Sequence, residues 1–184
     1  MQQPSERDTG EHPPGAREPQ DARDEVDRLV DAWRRERPDL DVAPLDVLSR
    51  VTRLARHLDR ARRTAFEAHD LEPWEFDVLA ALRRAGDPYE LSPGALLTQT
   101  LVTSGTMTNR IDRLETRGLV TRLPDPHDRR GVLVRLSAEG RRRVDAALAD
   151  LLDQERTILA ALSGPERRQL ADQLRTLVLP FDNA

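Results

Sequence analysis

The 184-residue chain contains no cysteine, no lysine and no run of about 18 consecutive apolar residues. Without cysteine it forms no disulfide, no cysteine-based zinc site and no iron–sulfur centre, and sensing of oxidants through a thiol is excluded. The N-terminal stretch Met1 to Asp24 is polar, acidic and proline-rich, with no apolar segment to serve as a signal. A cytoplasmic protein with no membrane contact is therefore expected. The four histidines, His12, His57, His69 and His127, show no metal-ligand spacing, so no metal site is expected. A glycine-rich phosphate loop, a plausible Ser-His-Asp grouping and a cofactor fingerprint are all missing, which argues against an enzyme and against any cofactor.

Because lysine is missing, all 29 basic residues are arginine. Two readings stay open: recognition of phosphates and bases, or a coding bias toward Arg, Ala, Pro and Gly. The net charge of -4 argues weakly against a polyanionic partner, but its distribution argues the other way. Residues 1–31, 32–102, 103–143 and 144–184 carry -5, -1, +5 and -3. Positive charge is thus gathered in one stretch of about 40 residues, the pattern of a footprint on a phosphate backbone.

The length suits one domain of ordinary size, or one domain plus an extra element. Residues 1–22 lack periodicity and are expected to form a disordered arm. From Asp24 the order changes: Val26, Leu29, Val30 and Trp33 recur at i, i+3, i+4 and i+7, which predicts an added helix within 23–38, ending before Pro38, with Trp33 at the end of its buried face. A second helix, Leu45 to about His69, carries Val47, Val51, Leu54 and Leu58 on one face. A third starts at Pro73 and stops at Gly86. Ser92-Pro93 opens a short helix through Leu97, a turn is expected at Thr98 to Leu101, and another helix runs from near Thr103 to Gly118.

Two short helices joined by a tight turn make a helix-turn-helix candidate. The β-prone segments Leu119–Leu123 and Val132–Leu136, joined by a charged, turn-rich loop, then predict a hairpin wing. Ser137 caps a long helix broken at Gly164-Pro165, and a last helix carries Leu170, Leu174, Leu177 and Val178.

With Met107, Ile111 and Leu114 turned to the core, Gly105, Thr106, Asn109, Asp112 and Arg113 face outward. Ser104, Gly105 and Thr106 let a helix N-terminus approach phosphates, Asn109 matches adenine, and Arg113 matches guanine or phosphate. Thr108 joins this set. In isolation such a helix is ordinarily a solvated polar face. The adjoining hairpin alters that, since Arg129 and Arg130 at its tip suit a narrow minor groove.

Leu114-Glu115-Thr116-Arg117-Gly118-Leu119-Val120, followed by Arg122-Leu123-Pro124-Asp125-Pro126-His127-Asp128-Arg129-Arg130-Gly131-Val132-Leu133-Val134-Arg135-Leu136-Ser137, resembles the hallmark of the MarR family. The resemblance covers residues 45–180. It implies a mainly α fold with a small β-hairpin wing: a winged helix-turn-helix at 71–136, dimerisation helices at 45–70 and 137–180, and an obligate homodimer on double-stranded DNA. It also implies that Asp128 braces the wing arginine. The lack of cysteine departs from the family's peroxide-sensing branch.

The added helix resembles the urate-responsive PecS/HucR-like branch, whose four marker residues fall on Trp33, Asp77, Arg110 and Arg122. The wheel supports part of this independently, because Arg110 lies about 60° from the core centre against about 120° for Arg113. A buried arginine needs an anion. A planar acidic effector held by Arg110 and Arg122 and shielded by Trp33 satisfies that need, as does a structural ion pair between Arg110 and Asp77 or another carboxylate. The expected function is a ligand-responsive regulator, acting as a repressor, that a urate-like or carboxylate anion releases from a pseudo-palindromic operator; a winged-helix protein-binding module is the alternative.

Overall fold

A computed structural model describes residues 23–100, 104–128 and 130–182. The expected arm at 1–22, Leu101 at the end of the expected turn, the residues 102–103 and Arg129 therefore lie outside the described residues. The chain divides into two units, 1–54 and 55–184.

The first unit holds α1 (Glu25–Glu36) and the first part of α2 (Ala43–Glu67). Asp24 caps α1 by accepting the N–H groups of Val26 and Asp27 at 2.7 and 3.0 Å, while the Asp27 carboxylate accepts the Asp24 N–H at 2.8 Å. Two donors at the helix start are thereby satisfied reciprocally. The Arg50 guanidinium on α2 reaches back to Asp24 at 3.0 Å and Asp27 at 2.7 Å, and Arg53 pairs with Glu25. Val26 and Val30 are buried, but Leu29 and Trp33 are exposed, Trp33 at 48%. Trp33 thus does not end a buried face. Trp33 is seven residues after Val26 and so shares its side of the helix, but burial within the chain reaches only Val26 and Val30. Val47, Val51 and Leu54 are exposed as well.

The second unit contains the end of α2, then α3 (Pro73–Arg84), β1 (Glu90–Leu91), α4 (Pro93–Thr100), α5 (Ser104–Thr116), β2 (Val120–Pro124), β3 (Val132–Leu136), α6 (Ala138–Ile158) and α7 (Gly164–Asp182). Its core joins Phe66, stacked on Phe76 at 4.0 Å between centroids, to Leu79 and Leu82 of α3, Leu96 of α4 and Met107, Ile111 and Leu114 of α5. Val134 and Leu136 of β3 and Val144 and Leu151 of α6 complete it.

The three strands form an antiparallel sheet in the order β1-β3-β2, with Arg122 opposite Val134 and Glu90 opposite Arg135. The hairpin is the expected one; β1 is an additional strand, too short to show alternation. Thr98 to Thr100, expected to begin a turn, instead continue α4. The hydroxyls of Thr98 and Thr100 donate to the carbonyls of Gly94 and Leu96 at 3.3 and 2.8 Å, so these polar residues are satisfied inside the helix.

Among the described residues no helix is long and apolar enough to cross a membrane. The mostly helical architecture with a β wing agrees with the fold expected from the sequence.

Candidate nucleic-acid interface and anion-binding residues

Met107, Ile111 and Leu114 anchor α5 in the core. Gly105, Thr106, Thr108 and Asn109 are consequently exposed along the opposite side. Ser104 is the first residue of α5. The helix ends in a left-handed Gly118, and the Leu119 N–H returns to the Leu114 carbonyl at 2.9 Å, turning the chain directly into β2.

Arg113 does not project alone. Its Nη2 donates to Glu72 Oε1 at 2.8 Å, and its guanidinium carbon lies 4.7 Å from the centre of the Trp74 ring. Trp74 Nε1 donates to the other oxygen of Glu72 at 2.5 Å. The indole N–H, together with the Arg113 guanidinium, holds the Glu72 carboxyl below the usual carboxylate range.

In the wing, the Asp128 carboxylate accepts the Arg130 backbone N–H at 2.9 Å, and the Asp128 carbonyl accepts the Gly131 N–H at 2.9 Å. Asp128 therefore bears on the backbone that carries Arg130. Arg122 and Arg130 line one open cleft of about 380 Å³ on the hairpin, together with Leu123, Pro124, Gly131 and Val132.

Of the four residues expected to hold an anion, Arg122, Asp77 and Arg110 have separate partners. Arg122, at the start of the wing, donates to Asp112 at 2.5 Å and to Glu115 at 2.6 Å, both on α5. Burial pulls its guanidinium pKa down, but the hydrogen bonds to Asp112 and Glu115 outweigh this and the net shift is upward. Asp77 pairs with Arg62 at 3.1 Å and borders a cleft with Arg84, Gln99 and Thr100. Arg110 is half-buried, and its guanidinium carbon sits 5.3 Å from the centre of the Trp74 ring. Of the two readings left open for Arg110, the ion pair with Asp77 is not formed: Asp77 pairs with Arg62, and Arg110 lies against the Trp74 ring, whose face shields it. Trp33 belongs to the N-terminal unit.

Sequence reasoning missed Glu72, Glu75 and Arg117. Glu75 is completely buried; its Oε2 accepts the Glu72 N–H at 2.9 Å and a bond from Arg117, which also donates to Asp70 at 2.6 Å. The spacing Glu72-Pro73-Trp74-Glu75 carries the signal of a helix start with a carboxylate three residues in. Nothing in it shows that this carboxylate ties the start of α3 to the end of α5.

Comparison with known proteins agrees with this arrangement. A MarR family profile matches residues 69–131. The HTH-type transcriptional regulator PecS of Dickeya dadantii is 39% identical over 146 residues, covering 79% of this chain and 88% of its own. The HTH-type transcriptional repressor NicR of Pseudomonas putida is 30% identical over 149 residues, covering 79% and 92%. A crystal structure of a variant MarR from E. coli complexed with operator DNA superposes with a TM-score of 0.62 at 27% identity, covering 76% of this chain and 99% of that one. With a helix-turn-helix, a wing and a relative of this identity along most of its length, the chain belongs to the MarR family of transcriptional regulators.

Proposed function

We propose that the protein is a homodimeric repressor that binds a pseudo-palindromic DNA operator and is released by a small anionic metabolite, urate or a di- or tricarboxylate. The observation that carries this reading is the exposed face of α5, with Gly105, Thr106, Thr108, Asn109 and Arg113, followed directly by a wing bearing Arg130. Such a helix suits the major groove and such a wing the adjacent minor groove. Two-fold symmetry in the protein would be mirrored in paired half-sites about one DNA turn apart.

The pairing of Arg122 suggests how an anion acts. Arg122 at the base of the wing is neutralised by two carboxylates of α5, Asp112 and Glu115. An anionic effector competes for the same guanidinium and frees those carboxylates, which loosens the wing from the recognition helix and favours a dimer geometry that binds DNA less well. Asp77 and Arg110, in the same unit as Arg122, complete the proposed effector set.

The test is a footprint on the DNA upstream of the protein's own gene, titrated with urate and with citrate. Protection of paired half-sites that is lost with one of these anions is expected. Arg122→Ala should need about ten-fold or more effector, given the strength of charge-assisted hydrogen bonds. Release curves for Arg122→Ala that match the parent's would remove the effector site, and absence of any footprint would remove the DNA-binding reading.

A further inference from the structure

The side chains of Glu72 and Trp74 lie outside the recognition helix, yet they enclose the guanidinium of Arg113 on two sides. The Glu72 carboxylate is held at both oxygens, by Arg113 Nη2 at 2.8 Å and by Trp74 Nε1 at 2.5 Å. The Trp74 ring beneath Arg113 packs against the hydrophobic core, which fixes the platform. The backbone at Glu72 is pinned too: its N–H is bonded to buried Glu75 at 2.9 Å, and Pro73 fixes the next φ.

Despite these restraints the Arg113 side chain remains 59% exposed, and of the five N–H donors of a guanidinium the bond to Glu72 takes one. An unrestrained surface arginine loses rotamer freedom when it contacts a base, whereas one already held in plane does not.

We propose that Glu72 and Trp74 are positioning residues that set sequence discrimination by orienting Arg113 toward a base edge. This rests on the DNA-binding reading above and adds specificity determinants from α3. Charge sharpens the argument. A carboxylate beside a DNA-binding arginine repels phosphates, so on electrostatic grounds alone its removal tightens binding to every sequence. Positioning has the opposite sign in one readout: removal lowers the preference for the selected sequence over unrelated DNA.

The experiment uses the full chain and two duplexes of equal length, one selected from a random-sequence pool by the parent protein and one of unrelated sequence. The readout is the ratio of their dissociation constants at fixed salt. Glu72→Gln is expected to lower this preference roughly ten-fold, within the range for loss of one well-formed base contact, while leaving binding to the unrelated duplex equal or tighter. Trp74→Phe keeps the ring, removes the indole N–H and should lower the preference less, in the same direction. Arg113→Ala should lower it as well, and adding Glu72→Gln to Arg113→Ala should change it no further. Thermal melts matching the parent's establish that the variants are folded, and Trp74→Phe provides the reading if Glu72→Gln is not. Equal shifts on both duplexes, an unchanged preference in Arg113→Ala, or a further loss in the double variant would overturn the proposal while leaving DNA binding intact. A parent that selects no sequence from the pool overturns the DNA-binding reading and this inference with it.

Discussion

The carboxylate of Glu75 is completely shielded from solvent, and its Oε1 has no hydrogen-bond partner among the described residues. Its other oxygen serves both the Glu72 N–H and Arg117. Removing one partner of a buried pair costs about 3–5 kcal/mol, because the other charge is left desolvated. Arg117 is partly exposed and keeps Asp70, so Glu75→Ala should fall near the lower end, about 3 kcal/mol, read as a lower urea midpoint. A midpoint equal to the parent's would show that this pair does not hold α3 to α5. Glu139 is the exposed counterpart. Hydrogen bonds from Arg142 and Arg143 lower its pKa from 4.5 to about 2. A carboxylate depressed on folding lends stability that is complete above its unfolded pKa near 4.5 and is lost as pH falls toward 2. The difference in urea midpoint between the parent and Glu139→Gln should therefore be present at pH 6 and shrink progressively below pH 4.5. A difference that grows on acidification would contradict the assignment.

At the scale of elements, the start of α6 depends on a close approach that only glycine allows. Ser137 Oγ accepts the Gly140 N–H at 2.9 Å and donates to the Gly118 carbonyl at 2.7 Å, while the Ser137 N–H reaches the Leu119 carbonyl at 3.0 Å. This draws the first turn of α6 so near the end of α5 that a Cβ on Gly140 would sit 2.1 Å from the Leu119 carbonyl oxygen. Gly140→Ala must push backbone against backbone, so the usual gain from alanine in a helix is reversed and a loss of about 1–3 kcal/mol is expected. A stabilised Gly140→Ala in thermal melts would refute the contact. The cap itself was legible, since Ser137 precedes an apolar period; the tight crossing was not, because it depends on Leu119, far from Gly140 in sequence. The same division runs through the other elements. Met107, Ile111 and Leu114 identified the core side of α5 because their spacing is local. The extent of α4 was misread because threonines at its end resemble turn formers, although their hydroxyls bond back into the helix. β1 has two residues and exists through its pairing with β3, so it left no periodicity to read. Of the candidate anion residues, residue type was legible but partners were not: that Asp77 meets Arg62, Arg110 the Trp74 ring, and Arg122 the carboxylates of Asp112 and Glu115 is decided by how the elements pack.

For the whole molecule, the apolar stripe of the last helix has a meaning that local spacing does not disclose. The sequence shows Leu170, Leu174, Leu177 and Val178 at helical spacing, yet α7 buries none of its residues within this chain. Leu174, Leu177, Val178 and Leu179 are exposed, and Phe181 is 80% exposed. An apolar face of this kind in water calls for a covering surface. In the proposed homodimer a second copy supplies it. The consequence is testable because α7 adds nothing to the core formed by α3, α4, α5 and α6: removing it should not unfold that core. A chain ending at Ser163 should keep the helical circular dichroism of its remaining elements, run as a monomer in light scattering, and fall to the affinity of a single half-site on DNA. Deleting residues 1–22 should leave both the dimer and its affinity as they are, since the apolar stripes lie beyond them. A chain ending at Ser163 that remains dimeric and protects paired half-sites would locate the dimer contacts away from α7. Loss of secondary structure in that chain would show instead that α7 supports the fold of its own subunit, against its lack of buried residues.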